Sequence, residues 1–189
     1  MESCLECNSI ENLKSEYGYS ICQKCYAALV LLEQNSIRKI SKPEPADLII
    51  DNIYLGSELS AINSAYLESL SITRVLVTAS YCKKHIEEAG IEYMVLEIDD
   101  DPSVNIVQHF PAAFNFIVSA PQNVLVHCVS GISRSAAIVI AYIINTYRMA
   151  YDEAFHLVKA KRKCVHPNSG FKKQLKAFAK AKCSKNHDK

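Results

Sequence analysis

Residues 124–144 constrain the fold more than any other stretch of this chain. Val124-Leu125-Val126 is an unbroken apolar run that predicts the end of a buried strand, and Ala136–Ile144 (AAIVIAYII) is apolar nearly all round, which predicts a buried helix. Between them stands His127-Cys128-Val129-Ser130-Gly131-Ile132-Ser133-Arg134-Ser135, so this loop must carry the chain from a strand straight into a helix N terminus.

That placement has chemical consequences. The first N–H groups of a helix lack internal partners and the helix dipole is positive there, so an anion is stabilised. Successive loop N–H groups, turned inward, form a nest for phosphate oxygens. Gly131 lets the backbone curl that tightly, because it takes positive φ without Cβ strain. Arg134 adds a planar fork that suits two oxygens of one phosphate. A helix N terminus beside a guanidinium also favours the thiolate form of a cysteine, so Cys128 is expected to be the nucleophile. A bare Cys-x5-Arg is equally compatible with an inert core cysteine and a chance arginine; the strand before, the helix after and Gly131 favour the reactive reading.

Phosphate-ester cleavage needs an acid to protonate the leaving oxygen. The dense acidic run upstream is Asp99-Asp100-Asp101, expected in a loop after a strand over Glu92–Ile98 and before a helix around Phe110. Taken alone, Asp-Asp-Pro is equally ordinary turn chemistry.

His127–Ser135 resembles the signature loop of the dual-specificity phosphatases, a branch of the cysteine-based protein tyrosine phosphatases. The likeness extends to residues 53–63 (IYLGSELSAIN), to Ile72–Val77 and to Pro167-Asn168-Ser169-Gly170-Phe171, and spans about residues 46–180. It implies an α/β fold with a central, mostly parallel sheet flanked by helices. It further implies a phosphocysteine mechanism with Cys128 as nucleophile and Arg134 as phosphate clamp. Asp100 is implied as general acid and base, since it stands five residues before Asn105; Asp101 is the fallback. By the family pattern Ser135 hydrogen-bonds the sulfur, with simple helix capping as its other reading, and His127 supports the loop from behind. Val129, Ser130, Gly131, Ile132, Ser133 and Arg134 line the phosphate. Val77 departs from the pattern, which often has asparagine there; this removes one supporting hydrogen bond and leaves the chemistry intact. None of Val129, Ser130, Ile132 and Ser133 is charged, whereas relatives acting on polyphosphorylated inositol lipids tend to carry lysines there. The implied substrate is therefore a phosphoprotein, with both phosphotyrosine and phosphoserine or phosphothreonine accepted in a shallow site.

A second motif lies near residue 1. Cys4-Leu5-Glu6-Cys7 and Cys22-Gln23-Lys24-Cys25 are two Cys-x2-Cys pairs separated by 14 residues, the spacing of a four-thiolate structural zinc site. Gly18 is placed to turn a short hairpin, and Tyr26–Glu33 reads as a helix, an order that suggests a treble-clef-like module. Metal binding would then supply much of its folding energy. Redox dithiols and free buried cysteines are the competing readings.

The expected organisation is a zinc module at 1–34, a linker at 35–46 containing Pro43 and Pro45, a catalytic domain at 47–183 and a basic tail at 184–189. Residues 1–34 hold two lysines against five glutamates, a net of −3, which disfavours nucleic acid and points to a protein partner. By contrast, residues 159–189 carry eleven Lys or Arg and one Asp, read chiefly as a solvated basic face, with docking of acidic phosphoprotein segments, nucleic acid or anionic membrane as the sharper reading. Phe171, Leu175 and Phe178 recur at helical spacing and predict the inward face of a last helix.

No basic-then-apolar opening is present, and no apolar run approaches the ~20 residues of a membrane span. The expectation is a cytoplasmic protein without a transmembrane segment, the nucleus also being open, in a reducing compartment that suits thiolates. Zinc is the expected structural cofactor, and none is needed for catalysis. Cys82, Cys164 and Cys183 are assigned to ordinary packing or surface positions. Two alternatives to a protein phosphatase stay open on sequence alone. One is a phosphate-binding interaction module with little turnover, and the other is the same chemistry on RNA 5′ phosphates or another non-protein substrate.

Overall fold

A computed structural model describes residues 44–80 and 90–182, together with the backbone of 13–16, 19–22 and 183. The chain divides into two compact units, Met1–Lys42 and Pro43–Lys189.

In the first unit, β1 (Leu13–Glu16) pairs antiparallel with β2 (Tyr19–Cys22), and the register sets Leu13 opposite Cys22 and Glu16 opposite Tyr19. Gly18, expected to turn the hairpin, lies outside the described residues. Cys4, Cys7, Cys25 and the helix expected over Tyr26–Glu33 lie outside the described residues.

The second unit is built on a five-stranded sheet. Its strands are β3 (Asp47–Ile50), β4 (Ile53–Gly56), β5 (Ile72–Val77), β6 (Glu92–Val95) and β7 (Asn123–His127), in the order β3-β4-β7-β5-β6. The edge pair β3–β4 is antiparallel, and the other neighbours are parallel. The result is the mostly parallel α/β sheet expected, with one antiparallel edge. The strand expected over Glu92–Ile98 ends at Val95: its partner β5 ends at Val77, whose carbonyl accepts from Leu96 N at 2.8 Å, and no further strand residue remains for Glu97 and Ile98 to pair with.

Side chains alternate across the sheet as the two-residue strand period requires. Val124 and Val126 of β7 enter the core on one face, and Leu125 enters the core on the other. The first face is covered by α3 (Phe110–Val118), α4 (Arg134–Tyr147), α5 (Tyr151–Lys161) and α6 (Ser169–Cys183). The short helices α1 (Glu58–Ala61) and α2 (Ser64–Ser69) cover the second through Ala61 and Leu67. Helix α4 is buried from Ser135 through Ile144, in keeping with its unbroken apolar sequence. Helix α6 turns Phe171, Leu175 and Ala179 inward, with the Phe178 ring 4.9 Å from that of Phe110. Each fully buried side chain of this size contributes about 1.5–3 kcal/mol.

The site follows from this order. Strand β7 lies between β4 and β5, so the chain leaving its C-terminal end emerges at the centre of the sheet, where strand order reverses. Pro43 opens the compact unit, so Glu44–Ala46, read from sequence as linker, are packed into it: Ala46 N donates to the Tyr66 hydroxyl at 2.8 Å.

Candidate active site

The loop from Cys128 to Arg134 is held by its carbonyls. Val129 O accepts from Glu58 N at 3.0 Å, Ser130 O from Arg162 Nη2 at 3.3 Å, Gly131 O from Arg162 Nε at 3.0 Å and Ile132 O from His166 N at 2.9 Å. A trans amide points its N–H opposite to the preceding carbonyl. Four carbonyls fixed to the scaffold thus turn the N–H groups of Ser130, Gly131, Ile132 and Ser133 the other way, into the bowl of the loop.

Gly131 makes the curl possible. Its φ is +67°, and a Cβ there would stand 2.4 Å from Gly56 O and 2.7 Å from Arg162 Nη2. Both the backbone angle and the space exclude a side chain.

Cys128 sits at the bottom, fully buried. Its sulfur accepts from Gly131 N and from Ser135 Oγ, each at 3.3 Å. Ser135 lies inside α4, not at its cap; Ser133 is the N-cap residue. His127 is buried behind the loop with Nδ1 3.2 Å from Cys128 O, and its own carbonyl accepts from Thr78 N at 2.8 Å and Thr78 Oγ1 at 2.9 Å. Val77, which carries no side-chain donor, is buried in β5, and support at this point of the sheet comes from Thr78.

The three acids separate cleanly. Asp100 Oδ1 accepts from Ser133 Oγ at 2.7 Å and from Asn168 Nδ2 at 2.9 Å, while its Oδ2 is 3.8 Å from Arg134 Nε. Asp99 accepts from Ser80 Oγ at 2.8 Å. Asp101 folds onto its own turn, accepting from Ser103 Oγ at 2.6 Å and Ser103 N at 2.7 Å, and these hydrogen bonds hold its carboxyl below the usual range. Among the three, Asp100 is the one bonded to the loop.

Arg134 Nη1 donates to Ile98 O at 3.3 Å. Its Nε is buried and has no hydrogen-bond partner among the described residues, Asp100 being too far. A buried guanidinium N–H in that condition is a donor suited to an incoming anion.

Several supporting residues have roles that the sequence alone does not assign. Asn168 caps α6 by accepting from Phe171 N at 2.9 Å and uses its amide nitrogen on Asp100. Gln174 grips the acid loop twice, accepting from Ile106 N at 3.0 Å and donating to Val104 O at 2.8 Å. Gly170 permits close approach, since a Cβ there would stand 1.9 Å from Pro102 O. The Asn-Ser-Gly turn before the last helix was the available signal; Arg162 and Thr78 offered none.

A chemical capacity follows. A buried sulfur lies at the foot of a loop that carries inward amide donors and a guanidinium, and one carboxylate is bonded to that loop through Ser133. That set can bind a tetrahedral oxyanion, attack its central atom and exchange a proton with a departing oxygen.

The model of the family described as "Dual specificity phosphatase, catalytic domain" matches residues 53–181. Human dual specificity protein phosphatase 22 is 33% identical over 135 residues, which cover 70% of this chain and 72% of that protein. The "MAP kinase phosphatase with leucine-rich repeats protein 1" of Dictyostelium discoideum is 38% identical over 136 residues; these are 71% of this chain and 16% of that much longer protein. Among solved structures, a human tyrosine phosphatase-like serine/threonine/tyrosine-interacting protein superposes with a TM-score of 0.66 at 36% identity, covering 72% of this chain and 96% of that one.

Proposed function

The chain belongs to the dual specificity phosphatase family, and from that premise we propose that it hydrolyses phosphotyrosine and phosphoserine or phosphothreonine in proteins through a phosphocysteine intermediate. The observation that carries this reading is the Cys128 sulfur, set at the bottom of a loop in which four consecutive carbonyls, Val129 to Ile132, are tied to the scaffold.

In the first step the Cys128 thiolate attacks phosphorus in line with the ester oxygen. The P–S bond forms as the P–O bond breaks, and Asp100 delivers a proton to the departing oxygen. Oδ2 is the atom suited to this, because Oδ1 already accepts two hydrogen bonds. Arg134 and the inward N–H groups of Ser130, Gly131, Ile132 and Ser133 hold the equatorial oxygens throughout, and because they are fixed beforehand they need no reorganisation in the transition state. In the second step Asp100 takes a proton from water, the oxygen attacks phosphorus, and the P–S bond breaks to release inorganic phosphate. Ser135 Oγ, 3.3 Å from the sulfur, stabilises the returning thiolate. No metal takes part in this scheme.

Phosphoproteins suit the rim better than polyphosphorylated lipids. Val129 is 47% exposed and Ser130 is exposed, and neither supplies the cation that further phosphate groups need. Retention of Cys128, Arg134 and Asp100 together favours turnover over simple phosphate binding.

For the first unit, we propose one structural zinc held by Cys4, Cys7, Cys22 and Cys25. Four thiolates at this spacing suit zinc, and the β1–β2 hairpin delivers Cys22 at the end of a strand, three residues before Cys25. The acidic surroundings of these cysteines favour a protein partner over nucleic acid. Among the described residues no helix is long and apolar enough to cross a membrane. A cytoplasmic or nuclear placement is proposed on thiolate chemistry.

Acid quench of the enzyme during turnover of a phosphopeptide, followed by mass spectrometry, tests the intermediate. The peptide containing Cys128 gains one phosphoryl group; an unmodified Cys128 peptide at every time point, with phosphate still released, would show another mechanism.

A further inference from the structure

Glu44 stands one residue past the start of the second unit, outside the stretch that the family model matches. Each of its carboxylate oxygens takes a different partner. Oε1 faces Arg162 Nη2 at 3.4 Å, and Oε2 accepts from Ser57 Oγ. Both partners are almost fully buried, Ser57 at 2% and Arg162 at 5% exposure, so each is held where Glu44 meets it.

Both arms end on the catalytic loop. Through Arg162, the first reaches the carbonyls of Ser130 and Gly131. The second runs from Ser57, the N-cap of α1, to the next residue, whose backbone N–H holds Val129 O at 3.0 Å. Three consecutive loop carbonyls therefore depend on groups that converge on one side chain. Asp47 also pairs with Arg162, at 3.0 Å, but it touches the first arm alone.

We propose that Glu44 is a positioning residue for turnover: by tying Arg162 to Ser57 it sets the angle of the Val129, Ser130 and Gly131 peptides, and hence the aim of their N–H donors. The segment by which the chain enters the second unit is thereby part of the active-site framework. The inference rests on reading the loop as an oxyanion site. It is distinct from a stability role, because Glu44 itself is 42% exposed in its side chain and Asp47 still pairs with the buried Arg162 when Glu44 is removed.

The test uses the whole 189-residue chain with Glu44→Ala, Glu44→Gln, Ser57→Ala and Asp47→Asn, each measured for kcat, KM, thermal midpoint and direct binding of vanadate by calorimetry. Glu44→Ala is expected to lower kcat and weaken vanadate binding in parallel, each about fivefold, because misaimed donors cost most in the transition state. KM and the thermal midpoint should hardly move. Glu44→Gln should fall between, since its single amide oxygen can serve one arm, and Ser57→Ala added to Glu44→Ala should add less than it does alone. Asp47→Asn should show the smaller effect. Vanadate affinity and kcat of Glu44→Ala within about twofold of the unaltered protein would overturn the proposal, as would a large fall in thermal midpoint with vanadate affinity kept. An unaltered protein that binds vanadate without turnover would end the phosphatase reading and leave the Glu44 comparison intact. Absence of vanadate binding in the unaltered protein would overturn both.

Discussion

Ser133 Oγ and Asp100 Oδ1 are joined by a hydrogen bond of 2.7 Å that ties the acid loop to the phosphate loop. The same hydroxyl oxygen accepts from Asn168 N at 3.1 Å, and the Asn168 side chain reaches the same carboxylate oxygen at 2.9 Å. Loop, acid and the start of the last helix thus meet at one point, which fixes Asp100 against the phosphate loop and leaves its Oδ2, 3.8 Å from Arg134 Nε, without a hydrogen-bond donor on it among the described residues.

Asp100→Ala is expected to lower kcat by about 10²-fold or more on a phosphopeptide, whose leaving oxygen needs a proton, and far less on an activated aryl ester. Asp101→Ala should change kcat on both substrates by no more than about threefold, because Asp101 is occupied by its own turn. Leaving-group dependence appearing in Asp101→Ala and not in Asp100→Ala would reverse the assignment.

Ser135→Ala removes a donor to the sulfur that matters most when the thiolate departs. Breakdown of the phosphocysteine should then become rate-limiting. Stopped-flow release of phenol is expected to show a burst of about one per active site, followed by a steady rate roughly tenfold or more below that of the unaltered enzyme. A slow rate with no burst would place the role of Ser135 in the first step.

Gly131→Ala forces a Cβ into a position 2.4 Å from Gly56 O at a φ of +67°. The strained backbone alone should cost about 1–3 kcal/mol, visible in urea denaturation, and relief of the clash must pull the loop away from Arg162. Vanadate binding should be lost even where the variant stays folded. Retained binding at unaltered affinity would contradict the donor geometry.

How much of this was legible beforehand depended on distance along the chain. The loop, its strand and α4 were readable because apolar periodicity and the Cys, Gly and Arg positions are local. The inward face of α6 at Phe171 and Leu175 was readable for the same reason. Arg162 was not, since its partners Gly131, Asp47 and Glu44 lie 31, 115 and 118 residues away and nothing near Arg162 distinguishes it from the neighbouring lysines. Thr78 was hidden likewise, its bond to His127 spanning 49 residues, whereas the turn holding Asn168 was readable and only its bond to Asp100, 68 residues away, was not. The end of β6 at Val95 depends on where its partner β5 stops, which periodicity within Glu92–Ile98 cannot report.

The purified protein is expected to hold one zinc per chain by elemental analysis, and Cys22→Ser or Cys25→Ser should abolish it, because a structural site needs all four ligands. Stoichiometric zinc in both variants would place the metal elsewhere.

Steady-state hydrolysis of a small aryl phosphate by the reduced protein, beside its Cys128→Ser variant, tests the central claim most directly. Turnover is expected from the unaltered protein and none above background from the variant. Equal rates in the two would contradict a cysteine nucleophile, and a folded, vanadate-binding protein with no turnover would identify the loop as a binding site alone.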